Sequence, residues 1–267
     1  MNQQSKVAVI GAGVMGEALI AALISSGVNP DRITISEKRE ERVQELIAKY
    51  SINSADIAHN VAYADARLLV VKPQDMATVL EEIKGSINPK AVVITFAAGK
   101  TISFISNGLG TSNPVIRVMP NTPMSVGVGA SAISKGSSAT QADVKVVEDM
   151  LKASGKTIYV DEKLQDAVTA TSGSGPAYFF RFVEAMILAA QELGLAESDA
   201  KTLVIQTIAG ASEMLKQDGA SPKTLRENVT SPNGTTFAAL EVFEKEDLSG
   251  MVKKAMLAAR DRSQELS

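Results

Sequence analysis

The chain of 267 residues is 45% hydrophobic and 21% charged, which is typical of a soluble globular protein long enough for two domains. It has no cysteine, which excludes disulfides and thiolate chemistry and fits a reducing cytoplasm, and its net charge of −3 offers no basic field for nucleic acid. Residues Met1–Ser5 do not resemble a signal peptide, and the most apolar stretch, Ala177–Ala190, contains Arg181 and Glu184, so we expect a cytoplasmic protein that does not enter membranes.

Residues 1–161 alternate short β-branched runs with amphipathic helical stretches. This alternation predicts an α/β fold, a doubly wound parallel sheet with helices on both faces. The predicted strands are Lys6–Ile10, Arg32–Ser36, Arg67–Val71, Ala91–Thr95, Val115–Val118, Ala130–Ser134 and Lys156–Val160. The predicted helices cover residues 14–26, 39–50, 75–84 and 140–153, and Gly27 and Gly85 are stop signals.

Residues 162–267 carry helix signals alone and predict an all-helical second domain. Pro176 suits the first position of a long helix that ends near Gly194. Four more helices are predicted: one capped by Ser198 and ending at Gly219, one starting at Ser221–Pro222, one starting at Thr235 or Thr236, and one over residues 250–266.

The helix that follows Pro176 is apolar on nearly all sides, so we expect it in the middle of a helical assembly. Its apolar surface can pack either on the first domain or on a second copy of the chain. Large exposed apolar patches are unusual in monomers, and we therefore favour a homodimer.

A glycine-rich turn, Gly11-Ala12-Gly13-Val14-Met15-Gly16, follows the first predicted strand and opens the first helix. Glycines allow the backbone to approach a pyrophosphate closely, and the amides at the start of the helix attract it. The pattern is weak alone, but between a strand and a helix it predicts a dinucleotide site.

The end of the second strand carries signals of opposite sign for the type of dinucleotide. An acid about 20 residues after the glycines, here Glu37, typically binds the ribose hydroxyls of NAD, whereas cations there suit the 2′-phosphate of NADP. The next two residues are Lys38 and Arg39. We favour NADPH and keep NADH as the alternative, because the outcome depends on which way Glu37 faces.

Three further segments lie after strand regions: Asn60, Val71–Pro73 and Ala97–Gly99. Loops at the carboxyl ends of parallel strands line the ligand crevice, so these are candidate cofactor contacts. Taken singly, each of them is more often an ordinary turn.

The sequence contains no usual catalytic apparatus. His59 is the single histidine, so neither a Ser-His-Asp triad nor a His-based metal site is expected, and no metal is predicted. Hydride transfer to an already activated carbon requires little from the protein beyond orientation, and it fits this composition.

Two small-residue turns lead into helices of the second half. Ser231-Pro232-Asn233-Gly234-Thr235-Thr236 presents hydroxyls and free amides at a helix start, where a substrate carboxylate would fit and a threonine hydroxyl could reach a ring nitrogen. Ser172–Ala177 is a second close-approach turn. A capped helix start and simple packing are the alternative interpretations.

Five segments together resemble the pyrroline-5-carboxylate reductases, in order and in spacing. They are Gly11–Ile20 (GAGVMGEALI), Val71–Gln74 (VKPQ), Met119–Pro123 (MPNTP), Ser172–Phe179 (SGSGPAYF) and Ser231–Thr236 (SPNGTT). The resemblance implies a Rossmann domain, residues 1–161, and an all-α dimerisation domain, residues 162–267, often within larger rings. It also implies reduction of 1-pyrroline-5-carboxylate to L-proline by NADPH or NADH, the last step of proline biosynthesis.

The resemblance also assigns residues to the two ligands. The residues implied for the cofactor are Gly11, Ala12, Gly13, Val14, Met15, Gly16, Ser36, Asn60, Val70, Val71, Lys72, Pro73, Ala97, Ala98 and Gly99, with Lys38 and Arg39 added from the charge argument. The residues implied for the substrate are Glu162, Asn228, Ser231, Gly234, Thr235 and Thr236. Thr236 would bond the ring nitrogen as the candidate proton donor, and Ser231 with the following turn would take the carboxylate.

One position departs from the family pattern. The family usually has glycine where this chain has Asn233, a residue that tolerates the left-handed conformation.

Two rival functions stay open. A β-hydroxyacid dehydrogenase would need a lysine in the helix of residues 176–193, which contains none. A non-catalytic dinucleotide sensor gives no reason for the turn at 231–236.

Overall fold

The computed structural model describes residues 3–217, 219 and 221–266. The chain divides into two compact units. The first unit comprises Met1–Pro176 together with Ala258–Ser267, and the second comprises Ala177–Leu257.

The first unit is built on a single sheet of eight strands. The strands are β1 (Val7–Ile10), β2 (Ile33–Ser36), β3 (Asn53–Ser54), β4 (Ala66–Leu69), β5 (Val92–Thr95), β6 (Val115–Met119), β7 (Gly129–Lys135) and β8 (Gly155–Tyr159). Their order is β3-β2-β1-β4-β5-β6-β7-β8, and every neighbouring pair is parallel except β6 and β7. The order reverses between β1 and β4, and ligands of such sheets bind at this point, beyond the carboxyl ends of the strands.

Helices cover both faces of the sheet. The α-helices of this unit are α1 (Val14–Ser25), α2 (Glu40–Tyr50), α3 (Ile57–Tyr63), α4 (Met76–Ile83), α5 (Ile102–Leu109), α6 (Gln141–Leu151) and α7 (Gln165–Val168), which continues as a π-helical turn over Thr169–Gly173. Sequence signals fix several ends: Thr140 and Asp143 form a reciprocal capping box at α6, and Gly110 ends α5 in the left-handed conformation.

The alternation of side chains along β1 separates two hydrophobic cores. Val7 and Val9 point to one face and pack with residues of α1, α2 and α6, whereas Ala8 and Ile10 point to the other and pack with α3, α4 and α5. Strands buried on both faces read as continuous apolar runs, as β1 does.

Arg67 in β4 is an exception inside the second of these cores. The residue is completely buried, and its Nε donates to the carbonyl of Val61 at 2.8 Å, near the end of α3. Burial lowers the pKa of Arg67 to about 10, partly offset by Asp65. The guanidinium therefore satisfies a carbonyl at the negative end of a helix.

The fold class predicted from the sequence is confirmed, with two local differences. Strand β7 runs antiparallel to β6, because the connection through Thr122–Val126 is a short 3₁₀ turn and not a crossover helix. Strand β3, helix α3 and helix α5 were not predicted. They are two, seven and eight residues long, which is too short for a clear periodic pattern of apolar residues.

The second unit contains helices and turns, and no strand among its described residues. Its helices are α8 (Gly175–Glu192), which starts at the end of the first unit, α9 (Glu197–Leu215), α10 (Pro222–Asn228), α11 (Thr235–Lys245) and α12 (Leu248–Glu265), which finishes in the first unit. Ser221 caps α10 as predicted, whereas the predicted cap Ser198 is wrong: α9 begins at Glu197 after the N-cap Ala196, and Ser198 lies inside it.

Large apolar side chains of the second unit are exposed in the single chain. In α8, Phe179 and Phe180 are 62% and 64% exposed, and Leu188 is 56% exposed. The helices of this unit thus keep apolar faces that a single chain leaves in contact with water. Within the described part of the chain, no helix combines the length and apolarity needed to cross a bilayer.

Candidate functional site

The glycine turn lies between β1 and α1, and two of its glycines are required by close packing. Gly11 has φ 89°, and a Cβ there would lie 3.0 Å from the Val70 carbonyl oxygen. A Cβ at Gly16 would collide with the Gly11 carbonyl oxygen. Gly13 differs, because a Cβ there would meet nothing within 4 Å. The turn is therefore packed at Gly11 and Gly16 and open at Gly13.

A cavity of about 600 Å³ opens beside this turn at the carboxyl ends of β1, β2 and β4. The described residues that line it include Gly11, Gly13, Ser36, Glu37, Lys38, Arg39, Asp56, Val70, Val71 and Lys72. No side chain caps the N-terminus of α1 at Gly13, so the first amides of this helix keep their hydrogen-bonding capacity for an anion. The cavity, the turn and the helix start together fit the phosphates of a dinucleotide.

Glu37 faces the glycine turn, which answers the question of its orientation. Its Oε2 accepts from the amide of Ala12 at 3.0 Å, and its Oε1 accepts from the Arg39 amide at 3.1 Å and from Arg39 Nε at 3.0 Å. Burial raises the pKa of Glu37, but the hydrogen bonds from Arg39 and Ala12 outweigh this and lower it to about 2. The carboxylate stays charged near neutral pH, and Arg39 neutralises it.

Lys38 and Arg39 line the cavity next to Glu37. Both are exposed, and the side chain of Arg39 keeps 63% of its surface in contact with water while bonded to Glu37. Asp56, Asp75 and Glu82 also line the cavity, so the charge that suits an anionic group on the ribose is local to Lys38 and Arg39.

Ser36 and Asn60 are connected to each other and to the backbone. The Asn60 Nδ2 donates to the Thr34 carbonyl at 3.0 Å and to the Ser36 Oγ at 2.9 Å, and Ser36 Oγ donates to the Ala55 carbonyl at 3.0 Å. Asn60 is buried. These bonds hold the end of β2 against α3, and Ser36 keeps acceptor capacity at the edge of the cavity.

The segment after β4 borders the glycine turn directly. Val70, Val71 and Lys72 line the cavity, and Pro73 starts a 3₁₀ turn that ends at Asp75. The carbonyl of Ile10 accepts from the Val70 amide at 2.8 Å, so this segment continues the pairing of β4 with β1. Eight of the residues predicted for the cofactor thus line one cavity at this sheet edge: Gly11, Gly13, Ser36, Lys38, Arg39, Val70, Val71 and Lys72.

The small residues after β5 lie close to the end of α12. Ala97 is buried, and Gly99 has φ 74°. A Cβ at Gly99 would lie 2.9 Å from the Ser263 carbonyl oxygen and 2.8 Å from the Cβ of Leu266. Gly99 therefore admits the end of α12, while Ala98 is partly exposed. Contact of this segment with a cofactor stays a prediction.

Glu162, predicted for the substrate, is already engaged in the first unit. Its Oε1 accepts from the Ile102 amide at 2.6 Å and lies 3.4 Å from Nη1 of the buried Arg117. Arg117 Nη2 lies 3.7 Å from Asp166 Oδ1, which accepts from Ser263 Oγ at 2.7 Å. Sequence reasoning missed this network, because Arg117, the Glu162–Asp166 segment and Ser263 are far apart along the chain and carry no shared spacing signal.

Two of the sequence motifs meet inside the first unit. A Cβ at Gly173, in the SGSGPAYF segment, would collide with the Cε of Met119, in the MPNTP segment. Asn121 of the same segment is buried and accepts from the Ala130 amide at 2.8 Å. The two motifs are therefore in close contact at Gly173, and a side chain there would displace the end of the Met119 side chain.

The SPNGTT segment forms a tight turn at the start of α11 in the second unit. Asn233 has φ 60°, the left-handed conformation, and the Gly234 amide donates to the Ser231 carbonyl at 3.0 Å. A Cβ at Gly234 would collide with Ser231 Oγ. No side chain caps α11, whose first residues are Thr235 and the partly exposed Thr236. Asparagine at 233 therefore keeps the turn that glycine would form.

The predicted site residues fall in both units. All those predicted for the cofactor, and Glu162, lie in the first unit. The others, Asn228 at the end of α10, Ser231, Gly234, Thr235 and Thr236, lie in the second. Among the described residues, no group of three His, Asp or Glu side chains is arranged to hold a metal ion.

Comparison with known proteins identifies the family. A family model described as pyrroline-5-carboxylate reductase dimerisation matches residues 162–266, and one described as NADP oxidoreductase, coenzyme F420-dependent, matches residues 6–99. The pyrroline-5-carboxylate reductase of Corynebacterium melassecola is 42% identical over 97% of this chain and 98% of that protein.

Solved structures agree with this assignment. A pyrroline-5-carboxylate reductase from Coxiella burnetii is 35% identical, with a TM-score of 0.90 over 99% of both chains. A pyrroline carboxylate reductase from Plasmodium falciparum with NADP bound is 28% identical, with a TM-score of 0.90 over 100% of this chain and 99% of that one. The resemblance seen in the sequence is confirmed, and the chain belongs to the pyrroline-5-carboxylate reductase family.

Proposed function

We propose that the protein is an oxidoreductase that reduces 1-pyrroline-5-carboxylate to L-proline by hydride transfer from NADPH or NADH, the last step of proline biosynthesis. The observation that carries the proposal is the glycine turn, with its open face at Gly13 and the uncapped start of α1 beside a cavity of about 600 Å³. The activity named for relatives that match along the whole chain supports it.

The proposed cofactor is NADPH, with NADH as the alternative. The cationic side chains of Lys38 and Arg39, which line the cavity, favour a 2′-phosphate, and the related Plasmodium falciparum structure holds NADP. Bound there, the dinucleotide supplies a hydride. The chain would hold it through Gly11, Ala12, Gly13, Val14, Met15, Gly16, Ser36, Lys38, Arg39, Asn60, Val70, Val71, Lys72, Pro73, Ala97, Ala98 and Gly99.

The substrate is assigned to the turn at the start of α11. The free amides after Gly234 and the Ser231 hydroxyl suit a carboxylate, and the Thr236 hydroxyl would orient the ring nitrogen and supply its proton. Asn228, Thr235 and Glu162 are proposed as further substrate contacts. For Glu162 this would require sharing its carboxylate with Ile102 and Arg117, to which it is already bonded.

A steady-state comparison of NADPH and NADH with 1-pyrroline-5-carboxylate tests the function and the cofactor together. We expect turnover with both dinucleotides and a higher kcat/KM with NADPH. Oxidation of hydroxy acids by NAD⁺ is the control for the dehydrogenase alternative. Binding of dinucleotide without turnover of any cyclic imine would contradict the proposal and favour a sensor.

The proposed assembly is a homodimer formed through the helical region, with a ring of dimers as the larger assembly that the resemblance implies. The exposed apolar side chains of α8 support it, as does the match of residues 162–266 to a dimerisation model. The proposed domain boundary lies between residues 161 and 162, where that match begins. A cytoplasmic location completes the proposal and agrees with the absence of cysteine from the chain.

A further inference from the structure

The peptide groups on either side of the Ala12 side chain are both bonded to charged residues that follow β2. The Ala12 amide donates to Glu37 Oε2 at 3.0 Å, and the Ala12 carbonyl accepts from Arg42 Nε at 3.1 Å. Ala12 is completely buried. Hydrogen bonds to charged groups are stronger than neutral ones, so this arrangement fixes the backbone in the middle of the glycine turn.

Arg42 is itself fixed by carboxylates. It lies in α2 with only 15% of its side chain exposed, its Nη2 donates to Glu17, and its Nη1 donates to Glu45 Oε2 at 2.7 Å. Glu17 lies in the first turn of α1 and also accepts from Lys49 Nζ at 2.7 Å and from Tyr50 Oη at 3.1 Å. Arg42 therefore joins a carbonyl inside the turn to the first turn of the helix that follows it.

We propose that Arg42 is a positioning residue for dinucleotide binding. It orients the peptide between Ala12 and Gly13, and with it the amides at the start of α1 that would face the pyrophosphate. The inference rests on the proposed function, because it requires a dinucleotide at the glycine turn. Arg42 is not among the described residues that line the cavity, so it acts through the turn and not by touching the ligand.

Loss of Arg42 should affect dinucleotide binding differently from loss of a residue that touches the dinucleotide. The pyrophosphate is common to NADPH and NADH, so loss of Arg42 weakens binding of both by the same factor. Arg39 lines the cavity next to Glu37, and its loss changes the ratio of the two affinities. A residue that served stability alone would leave the affinity of the folded protein for either dinucleotide unchanged.

The test is direct titration of NADPH and NADH onto the full chain, comparing wild type with Arg42→Met, which keeps the apolar stem and removes the guanidinium. We expect both Kd values to rise about tenfold, the effect of one charge-assisted hydrogen bond, with their ratio unchanged. The KM for the imino acid should stay at its wild-type value. Glu45→Gln is the matched control, because it weakens an exposed partner of Arg42 and leaves the bond to Ala12, so its Kd values should equal those of wild type.

Unchanged Kd values in folded Arg42→Met would overturn the proposal, and so would a change in the NADPH to NADH ratio like that of Arg39→Gln. If circular dichroism shows Arg42→Met to be unfolded, Arg42→Lys replaces it. One ammonium cannot hold both Glu17 and the Ala12 carbonyl in the same geometry, so a smaller rise of about threefold in both Kd values is expected. No rise with Lys overturns the proposal. Failure of wild type to bind either dinucleotide is a distinct result that overturns the proposed function and this inference with it.

Discussion

Thr236 is the side chain whose hydroxyl the proposed chemistry requires. It stands at the second position of α11, where no side chain caps the helix. Replacing it by alanine should lower kcat about 100-fold, in the range found for removal of a proton donor, and leave the Kd of the dinucleotide unchanged. Stopped-flow or steady-state reduction of the imine measures the first, and direct titration the second.

Thr236→Ser is the control for this prediction, because it keeps the hydroxyl and removes one methyl group. It should retain most of the wild-type turnover. Equal turnover in Thr236→Ala and wild type would remove Thr236 from the mechanism and leave orientation by the turn as the source of catalysis.

Two carboxylates around the glycine turn should determine how stability responds to acid. Hydrogen bonds from Lys49 and Arg42 lower the pKa of Glu17 to about 2, and that of Glu37 is also about 2. Both lie below the ordinary value of 4.5, so their stabilisation is complete above pH 4.5 and is lost as the pH falls from 4.5 towards 2. Each should contribute on the order of 1–2 kcal/mol after allowance for solvent screening.

Urea unfolding at a series of pH values measures this dependence. We expect the decrease in unfolding free energy between pH 4.5 and 2.5 to be smaller in Glu37→Gln and Glu17→Gln than in wild type. Glu41→Gln, an exposed residue of α2, serves as the control and should reproduce the wild-type slope. If the unfolding free energy falls by the same amount between pH 4.5 and 2.5 in all four proteins, the two carboxylates are not the groups responsible for the acid dependence.

At the scale of elements, the loop after β5 packs against the end of α12 within the first unit. Gly99 has φ 74°, and an added Cβ would lie 2.9 Å from the Ser263 carbonyl oxygen. Gly99→Ala should therefore lower the unfolding free energy by about 2–4 kcal/mol, the sum of backbone strain and displacement of α12.

Gly110→Ala separates these two effects. Gly110 also has a positive φ, 64°, but an added Cβ there would meet only the flexible end of Lys84, at 3.4 Å. The alanine variant at 110 should thus show the strain alone, about 1 kcal/mol. Equal losses in the two variants, measured by urea unfolding, would show that α12 does not constrain the loop.

The elements that could be predicted are those with a long periodic signal. Helix α1 and strand β1 agree with the sequence prediction to within a residue or two, because each buries a regular apolar pattern between clear turn signals. The direction of β7 could not be predicted, since strand propensity carries no information on which neighbour a strand pairs with. The cap of α9 was misplaced because Ser198 is a favourable capping residue that the chain does not use there.

At the scale of the whole molecule, short motifs located the candidate site, but they did not reveal the interactions that hold it. The glycine spacing pointed to the cavity, and the left-handed Asn233 fits the expectation for that turn. The bonds of Glu37 and Arg42 to Ala12 could not be read from the sequence, because they depend on side-chain directions after β2. Nor could the sequence show that Glu162 is bonded to Arg117, since long-range ion pairs leave no periodic trace.

The proposed homodimer predicts that the exposed apolar side chains of α8 lie in the interface between two copies of the chain. Phe180 in α8 is 64% exposed, so replacing it by glutamate changes little inside one chain, whereas a buried unpaired charge in an interface between copies is strongly unfavourable. If the proposed dimer forms through α8, Phe180→Glu should shift it to monomer at micromolar concentration in light scattering coupled to size exclusion, with unchanged helical content by circular dichroism. Lys90→Gln, at an exposed site of the first unit, lowers the net charge by the same one unit and should leave the dimer intact. A dimer that persists in Phe180→Glu would place this part of α8 outside the interface.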